Sequence, residues 1–209
     1  MQCMVLAVLA AEAQKEEWNK NKLPATVTVF WADSLQALLM LEADAYFDLQ
    51  YEWTPERNEQ YHIIKGKPIF VNEVVLPCSF IGAGFARINA WPGMLQRPIQ
   101  EIAVHKNADN QAIITVLQAM GWQYQLVPDI VGMLSARIIA TIINEAFFTL
   151  GSGVSSKEAI DTAMKLGTNY PYGPFEWTEI IGKDRIITML KELSRTDTRY
   201  EPAPALLNL

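Results

Sequence analysis

The chain has 209 residues, 50% of them hydrophobic and 19% charged, with six Trp, seven Tyr and eight Phe, a composition that excludes disordered, collagen-like and low-complexity classes. Its 17 basic and 23 acidic residues give a net charge of -6, spread as 9 basic and 13 acidic groups over residues 1–127 and 8 and 10 over residues 128–209, which argues against nucleic acid and anionic membranes as partners. Only two cysteines occur, Cys3 and Cys78, with no metal-ligand spacing, and no apolar run reaches the roughly 18 residues of a membrane span, so no metal site is expected and a soluble protein of the reducing cytoplasm is.

The run Gln2 to Val8 reads as a buried opening strand. Ala11-Glu12-Ala13 would suit a signal-peptide cleavage site, but no Lys or Arg precedes it, and a helix through Glu12, Lys15, Glu16 and Trp18 explains the same residues. Ala25 to Phe30 alternates as a strand, and Asp33-Ser34 then starts a helix carrying Leu35, Leu38, Leu39 and Leu41. Ala45 to Leu49 and Pro68 to Val75 are further β-rich runs, separated by a helix start at Thr54-Pro55-Glu56. After the loop Gly82 to Gly84 come strands Ala86 to Ala90 and Ile99 to Val104, a helix from Asp109 to Met120 and a strand Trp122 to Val127. Alternation of this kind predicts a mainly parallel α/β sheet.

From Gly132 the pattern becomes helical. Leu134, Ile138, Ile139, Ile142, Ile143, Ala146, Phe147 and Leu150 recur at helical spacing until Gly151. Ser155-Ser156 with Glu158 begins a second helix, expected to end at Gly167, with Glu158 and Asp161 in its first turn, where acids suit the helix dipole. Gly173-Pro174 breaks the chain between helices, and Asp184 to Leu193 supplies another.

The run Glu158-Ala-Ile-Asp-Thr-Ala-Met-Lys-Leu-Gly167, followed by Pro171-Tyr-Gly-Pro-Phe-Glu176 and Gly182, resembles the C-terminal helical domain of the 3-hydroxyacyl-CoA dehydrogenase family. Asp129-Ile-Val-Gly132, Arg137 and Asn144-Glu145-Ala146 are similar to that family's entry into its first long C-terminal helix. The resemblance implies a reduced Rossmann-like parallel-sheet domain, residues 1–127, followed by a helical C-terminal-type domain, residues 128–209. It also implies a homodimer formed through the helical part.

Departures from the family pattern concentrate on function. The resemblance implies NAD binding through a G-x-G-x-x-G turn after the first strand, yet the expected positions read Leu9-Ala10-Ala11-Glu12-Ala13-Gln14 and no glycine occurs before Gly66. Side chains there block close approach of the backbone, and Glu12 sets a negative charge where a diphosphate would lie. Asp33 could still meet ribose hydroxyls, although helix capping explains it as well. Ile81-Gly-Ala-Gly84 is no substitute, since Arg87 occupies the last glycine's place and a strand follows.

The family's chemistry uses a histidine base, a glutamate twelve positions later that orients it, and an asparagine before the arginine of the first C-terminal helix. Aligned on that resemblance, Glu101 matches the glutamate, Asn89 stands at the histidine and Ala136 at the asparagine. The assisting serine falls in Asn72-Glu-Val-Val75, which has no hydroxyl. Arg87, Asn89 and Trp91 alternate onto one strand face, and with Arg137 they are candidates for holding a small molecule such as an acyl-CoA between the domains. His105 shares a strand face with Glu101 but lies about 13 Å away at ~3.3 Å per residue; His62 reads as a surface histidine. The leading expectation is a dehydrogenase relative without standard NAD-dependent oxidation, with no cofactor expected unless NAD is retained. An active NAD(P)-dependent oxidoreductase with a rebuilt site and a structural dimerisation protein are the alternatives.

Overall fold

The computed structural model describes residues 3–208; Gln2, expected to open the first strand, lies outside them. Two units divide the chain, Met1–Met133 and Leu134–Leu209.

In the first unit, β1 (Met4–Leu9), β2 (Val27–Ala32), β3 (Ala45–Asp48), β4 (Ile69–Val71), β5 (Phe85–Ile88), β6 (Ile99–Val104) and β7 (Gln123–Val127) form one sheet among the described residues, in the order β2-β1-β3-β4-β5-β6-β7. Every neighbouring pair is parallel except β5 with β6. Chain length explains the exception, because a parallel return needs a crossover of a dozen or more residues and only residues 89–98 separate these two strands.

Helices α1 (Glu12–Asn19), α2 (Leu35–Met40), α3 (Pro55–Gln60), α4 (Cys78–Ile81) and α5 (Gln111–Ala119) lie between the strands. Both faces of the sheet are covered, which is why its strands read as nearly continuous apolar runs. On one face Val8, Phe47, Phe70 and Ile88 pack with Trp18 of α1 and Val116 and Leu117 of α5. On the other, Ala7, Leu9, Tyr46, Val71 and Phe85 pack with Leu38 of α2, Ile81 of α4 and Tyr61. Two expected helix starts are capped as their residues suggested: Ser34 Oγ accepts from Ala37 N–H at 3.2 Å and Thr54 Oγ1 from Arg57 N–H at 3.1 Å. Residues 128–133 lie with this unit, where Gly132 N–H donates to Val74 O.

The second unit holds α6 (Ser135–Gly151), α7 (Lys157–Thr168), α8 (Pro174–Ile181), α9 (Lys183–Ser194) and α10 (Pro204–Leu207) among the described residues. Ile139, Ala140, Ile143 and Phe147 form the buried stripe of α6. Within it Asn144 donates from Nδ2 to Glu201 O at 2.8 Å and accepts from Ala203 N–H at 2.7 Å, holding the segment before α10.

Two expectations are corrected in α7. The helix passes through Gly167 and stops at Asn169, left-handed at φ 56° with its N–H on Lys165 O; asparagine tolerates that conformation nearly as well as glycine. Asp161 sits beyond the first turn of α7, and its carboxylate accepts from Phe175 N–H at 2.8 Å and Glu176 N–H at 3.2 Å. It therefore caps α8 rather than its own helix. Gly173, with an ordinary φ of -77°, is required by space alone, because a Cβ there would overlap the Asp161 side chain.

Candidate functional site

An open α/β sheet binds ligands outside the carboxyl ends of its strands, where the chain order reverses. Here the reversal lies between β1 and β3, which pair in parallel with Leu9 beside Asp48.

Gln14, in the first turn of α1, reaches back to the bend after β1. Its Oε1 accepts from Ala11 N–H at 2.9 Å, and its Nε2 donates to Leu49 O at 2.8 Å and Ala90 O at 3.3 Å. Asn72, just past β4, repeats the pattern: Nδ2 donates to Leu49 O at 3.1 Å and Oδ1 accepts from Ala90 N–H at 2.9 Å. Glu17 accepts from Gly93 N–H and Leu95 N–H. Three polar side chains thus knit together the ends of β1, β3, β4 and β5. In the sequence they look like ordinary helix-surface and loop residues, and no local signal identifies this role.

Beside that lattice, Asp48 is completely buried. Arg57 and the Tyr61 hydroxyl donate to its Oδ2, and Gln50 N–H donates to Oδ1 at 3.0 Å. Burial and the adjacent Asp48 carboxylate push the Tyr61 phenol well above its ordinary range, so Tyr61 acts as a donor. Every oxygen of Asp48 is satisfied, and the group fastens α3 and the turn after it to the sheet.

Arg87 and Asn89 lie on the face carrying Phe85, since Ala86, Ile88 and Ala90 point to the opposite core. Both are buried. Arg87 donates from Nε to Glu73 O at 2.9 Å and from Nη1 to Asp129 Oδ1 at 2.8 Å and Ile130 O at 3.2 Å. Asp129 also accepts from Cys78 N–H at 2.8 Å. Burial alone would raise its pKa, but the Cys78 N–H and the Arg87 guanidinium hold it below the usual carboxylate value. Asn89 Oδ1 accepts from Trp91 N–H at 3.1 Å, folding the chain into a turn that buries the Trp91 ring.

The antiparallel register pairs Arg87 with Ala103 and Ile88 with Ile102, and its next step sets Asn89 opposite Glu101. Glu101 is buried and accepts from Arg97 at 3.4 Å. Asn89 Nδ2 and Arg87 Nη2 are buried with no acceptor within hydrogen-bonding distance among the described residues. The structure therefore brings Arg87, Asn89, Trp91 and Glu101 to one end of the β5–β6 pair.

The remaining candidates stand elsewhere. Asp33 is exposed and accepts from the Ser34 hydroxyl, while Ser34 does the capping. Ala136 is buried in α6, and Arg137 lies over the Tyr200 ring at 5.9 Å; both belong to the second unit. His105 follows the far end of β6 from Glu101, with its Nδ1 accepting from Asn107 N–H, and His62 is exposed. A hollow of about 680 Å³ opens at the opposite edge of the sheet, lined by Cys3, Asp44, Tyr46, Lys65 and Lys67 among others; among the described residues no buried unpartnered polar atom lines it. Among the described residues no cluster of metal-ligating side chains occurs, and no helix is long and apolar enough to cross a membrane.

The 3-hydroxyacyl-CoA dehydrogenase C-terminal domain family matches residues 132–209. A 3-hydroxyadipyl-CoA dehydrogenase of Escherichia coli K12 is 41% identical over 110 residues, and a 3-hydroxybutyryl-CoA dehydrogenase of Bradyrhizobium diazoefficiens is 37% identical over 134 residues. Residues 132–209 belong to the 3-hydroxyacyl-CoA dehydrogenase C-terminal domain family. Those matches cover 52% and 63% of this chain but only 23% and 45% of the two relatives, so the chain spans less than half of either relative. The solved structure of FadB2 from M. tuberculosis superposes with a TM-score of 0.74 at 13% identity, covering 99% of this chain and 92% of that one. That of the (S)-3-hydroxybutyryl-CoA dehydrogenase PaaH1 from Ralstonia eutropha gives 0.70 at 20% identity, covering 99% and 93%. These likenesses establish the fold: a Rossmann-like sheet unit and a helical unit. In this chain Gln14 lies in the first turn of α1, and Asn89 directly follows β5.

Proposed function

We propose that the chain is a 3-hydroxyacyl-CoA dehydrogenase-like protein that binds a small acyl-CoA-like ligand and does not carry out standard NAD-dependent oxidation. Asn89 carries this reading: an amide stands where the family resemblance puts the histidine base, and an amide neither takes up nor holds a proton near neutral pH. The bend after β1 supports it. A dinucleotide diphosphate needs free backbone N–H groups and no side chains at that bend, whereas Ala11 N–H is taken by Gln14 and the positions around it carry side chains. Those residues do not fit the group, and no hydride step is assigned.

For the ligand, the buried Asn89 Nδ2 suits a carbonyl oxygen, and Trp91 and Arg87 complete the proposed set. A homodimer through the helical unit, where Leu134 and Ile138 of the α6 region are exposed, and a cytoplasmic location belong to the same proposal. Isothermal titration with NAD and with acetoacetyl-CoA tests it. Acetoacetyl-CoA is expected to bind and NAD to give no heat; micromolar NAD binding, or turnover of 3-hydroxybutyryl-CoA with NAD or NADP, overturns it.

A further inference from the structure

We propose that the Asn89–Glu101 pair abstracts a proton from the carbon next to a thioester carbonyl and stabilises the resulting enolate. This inference deepens the acyl-CoA reading above and rests on it. The β5–β6 ladder ends with Ile88 opposite Ile102; Asn89 and Glu101 are the next residues on the two chains, and continuing the register by one step sets them opposite each other, at about 5 Å between Cα atoms. They also face the same side of the sheet. Asn89 is 3% exposed and Glu101 6% exposed, so a carbonyl and a carboxylate meeting there are largely removed from water, where a hydrogen bond to developing charge is strongest.

The donor inventory fits that chemistry. Asn89 Oδ1 is committed to Trp91 N–H, which fixes the orientation of the amide and leaves Nδ2 as a buried donor without an acceptor. Two residues earlier on the same face, Arg87 Nη2 is a second such donor. An enolate oxygen is a strong acceptor and develops its charge only as the proton leaves, so a preset donor favours the transition state over the bound thioester. With an amide in the place of the imidazole, Glu101 is the one group of the pair able to take a proton. A carboxylate base with a neutral donor on the carbonyl is one established arrangement for proton abstraction next to carbonyls.

The step balances without a co-reactant. A Glu101 carboxylate oxygen bonds the α-hydrogen as the C–H bond breaks. The electron pair forms the carbon–carbon double bond of the enolate, and the carbonyl oxygen takes the negative charge in a hydrogen bond from Asn89 Nδ2. The protonated Glu101 returns its proton to the α-carbon or, when a double bond adjoins it, to the γ-carbon, giving the conjugated isomer.

Vinylacetyl-CoA in heavy water is the probe, with α-deuteration read by mass and conversion to crotonyl-CoA by absorbance; calorimetric titration with crotonyl-CoA reads binding separately. Wild type is expected to deuterate and isomerise the thioester. Glu101→Gln is expected to lose about 100-fold or more of the exchange while binding crotonyl-CoA within about threefold, Glu101→Asp to recover part of it, and Asn89→Ala to lose about 100-fold. Binding without exchange above buffer overturns the inference and leaves the acyl-CoA reading standing, as does exchange that survives in a Glu101→Gln variant whose thermal unfolding matches wild type. Absence of any acyl-CoA binding overturns both.

Discussion

Gln14 donates from its side-chain amide to the carbonyl of Ala90, 76 positions further along the chain and 3.3 Å away. The same amide group holds Ala11 and Leu49, so one half-buried side chain joins the end of β1 to the ends of β3 and β5. Gln14→Ala removes all three bonds and takes this partner from the Ala90 carbonyl and the Ala11 N–H, while Leu49 O keeps its bond from Asn72. At about 0.5–1.5 kcal/mol per bond, a loss of about 2–3 kcal/mol in urea unfolding is expected. A loss below about 0.5 kcal/mol would mean that solvent replaces the whole set.

The Arg87–Asp129 pair makes stability depend on acid in a known direction. The folded-state pKa of Asp129 is depressed, so its contribution is complete above the unfolded value of about 3.9 and is lost as pH falls through the lower folded value. Urea midpoints of wild type should therefore drop below about pH 4, and those of Asp129→Asn should drop less over the same range. At neutral pH the variant leaves a buried guanidinium without its counter-charge, for an expected cost of about 3–5 kcal/mol.

Asp161 and Gly173 should be coupled. Asp161→Ala removes the two N–H acceptors at the start of α8, costing about 1–2 kcal/mol as cap removals do. Gly173→Ala forces a methyl group into the Asp161 carboxylate and should cost about 1–3 kcal/mol. Combined, the two should cost less than their sum, because the overlap vanishes with the carboxylate. Additive thermal shifts in the four proteins of the cycle would sink this account.

The two thiols should react unequally. Cys3 is exposed and Cys78 is buried, and burial followed by the Asp129 charge pushes the Cys78 thiol up to about 12. Since the thiolate is the reactive form, a thiol reagent near pH 8 should modify Cys3 quickly and Cys78 only after denaturant is added. Mass spectrometry of the native protein should show a single adduct, at Cys3.

What could be read from the sequence was what lies close together along the chain. Ser34 and Thr54 announce their helices because the bond they make spans three residues, and the alternation of strands and helices follows from periodicity. Asp161 was misread because its partners lie 14 and 15 residues away, beyond any local pattern. Gln14 was seen only as a residue that fails to be glycine; its positive role depends on Leu49 and Ala90, which no spacing connects to it. Asn169 overtook Gly167 as the stop of α7 because the helix ends where a left-handed residue can close it, and both residues can adopt that shape. Arg87, Asn89 and Trp91 could be set on one strand face in advance from the two-residue period; Glu101 joined Asn89 only through the family resemblance, because the antiparallel return of β6 has no local signal.

Asn144 spends both its amide oxygen and its amide nitrogen on the backbone of residues 201 and 203, and Ala203 and Leu206 beyond them are buried. The closing stretch is therefore masonry rather than trim. Cutting the chain at Arg199 would uncover a polar group in the middle of α6.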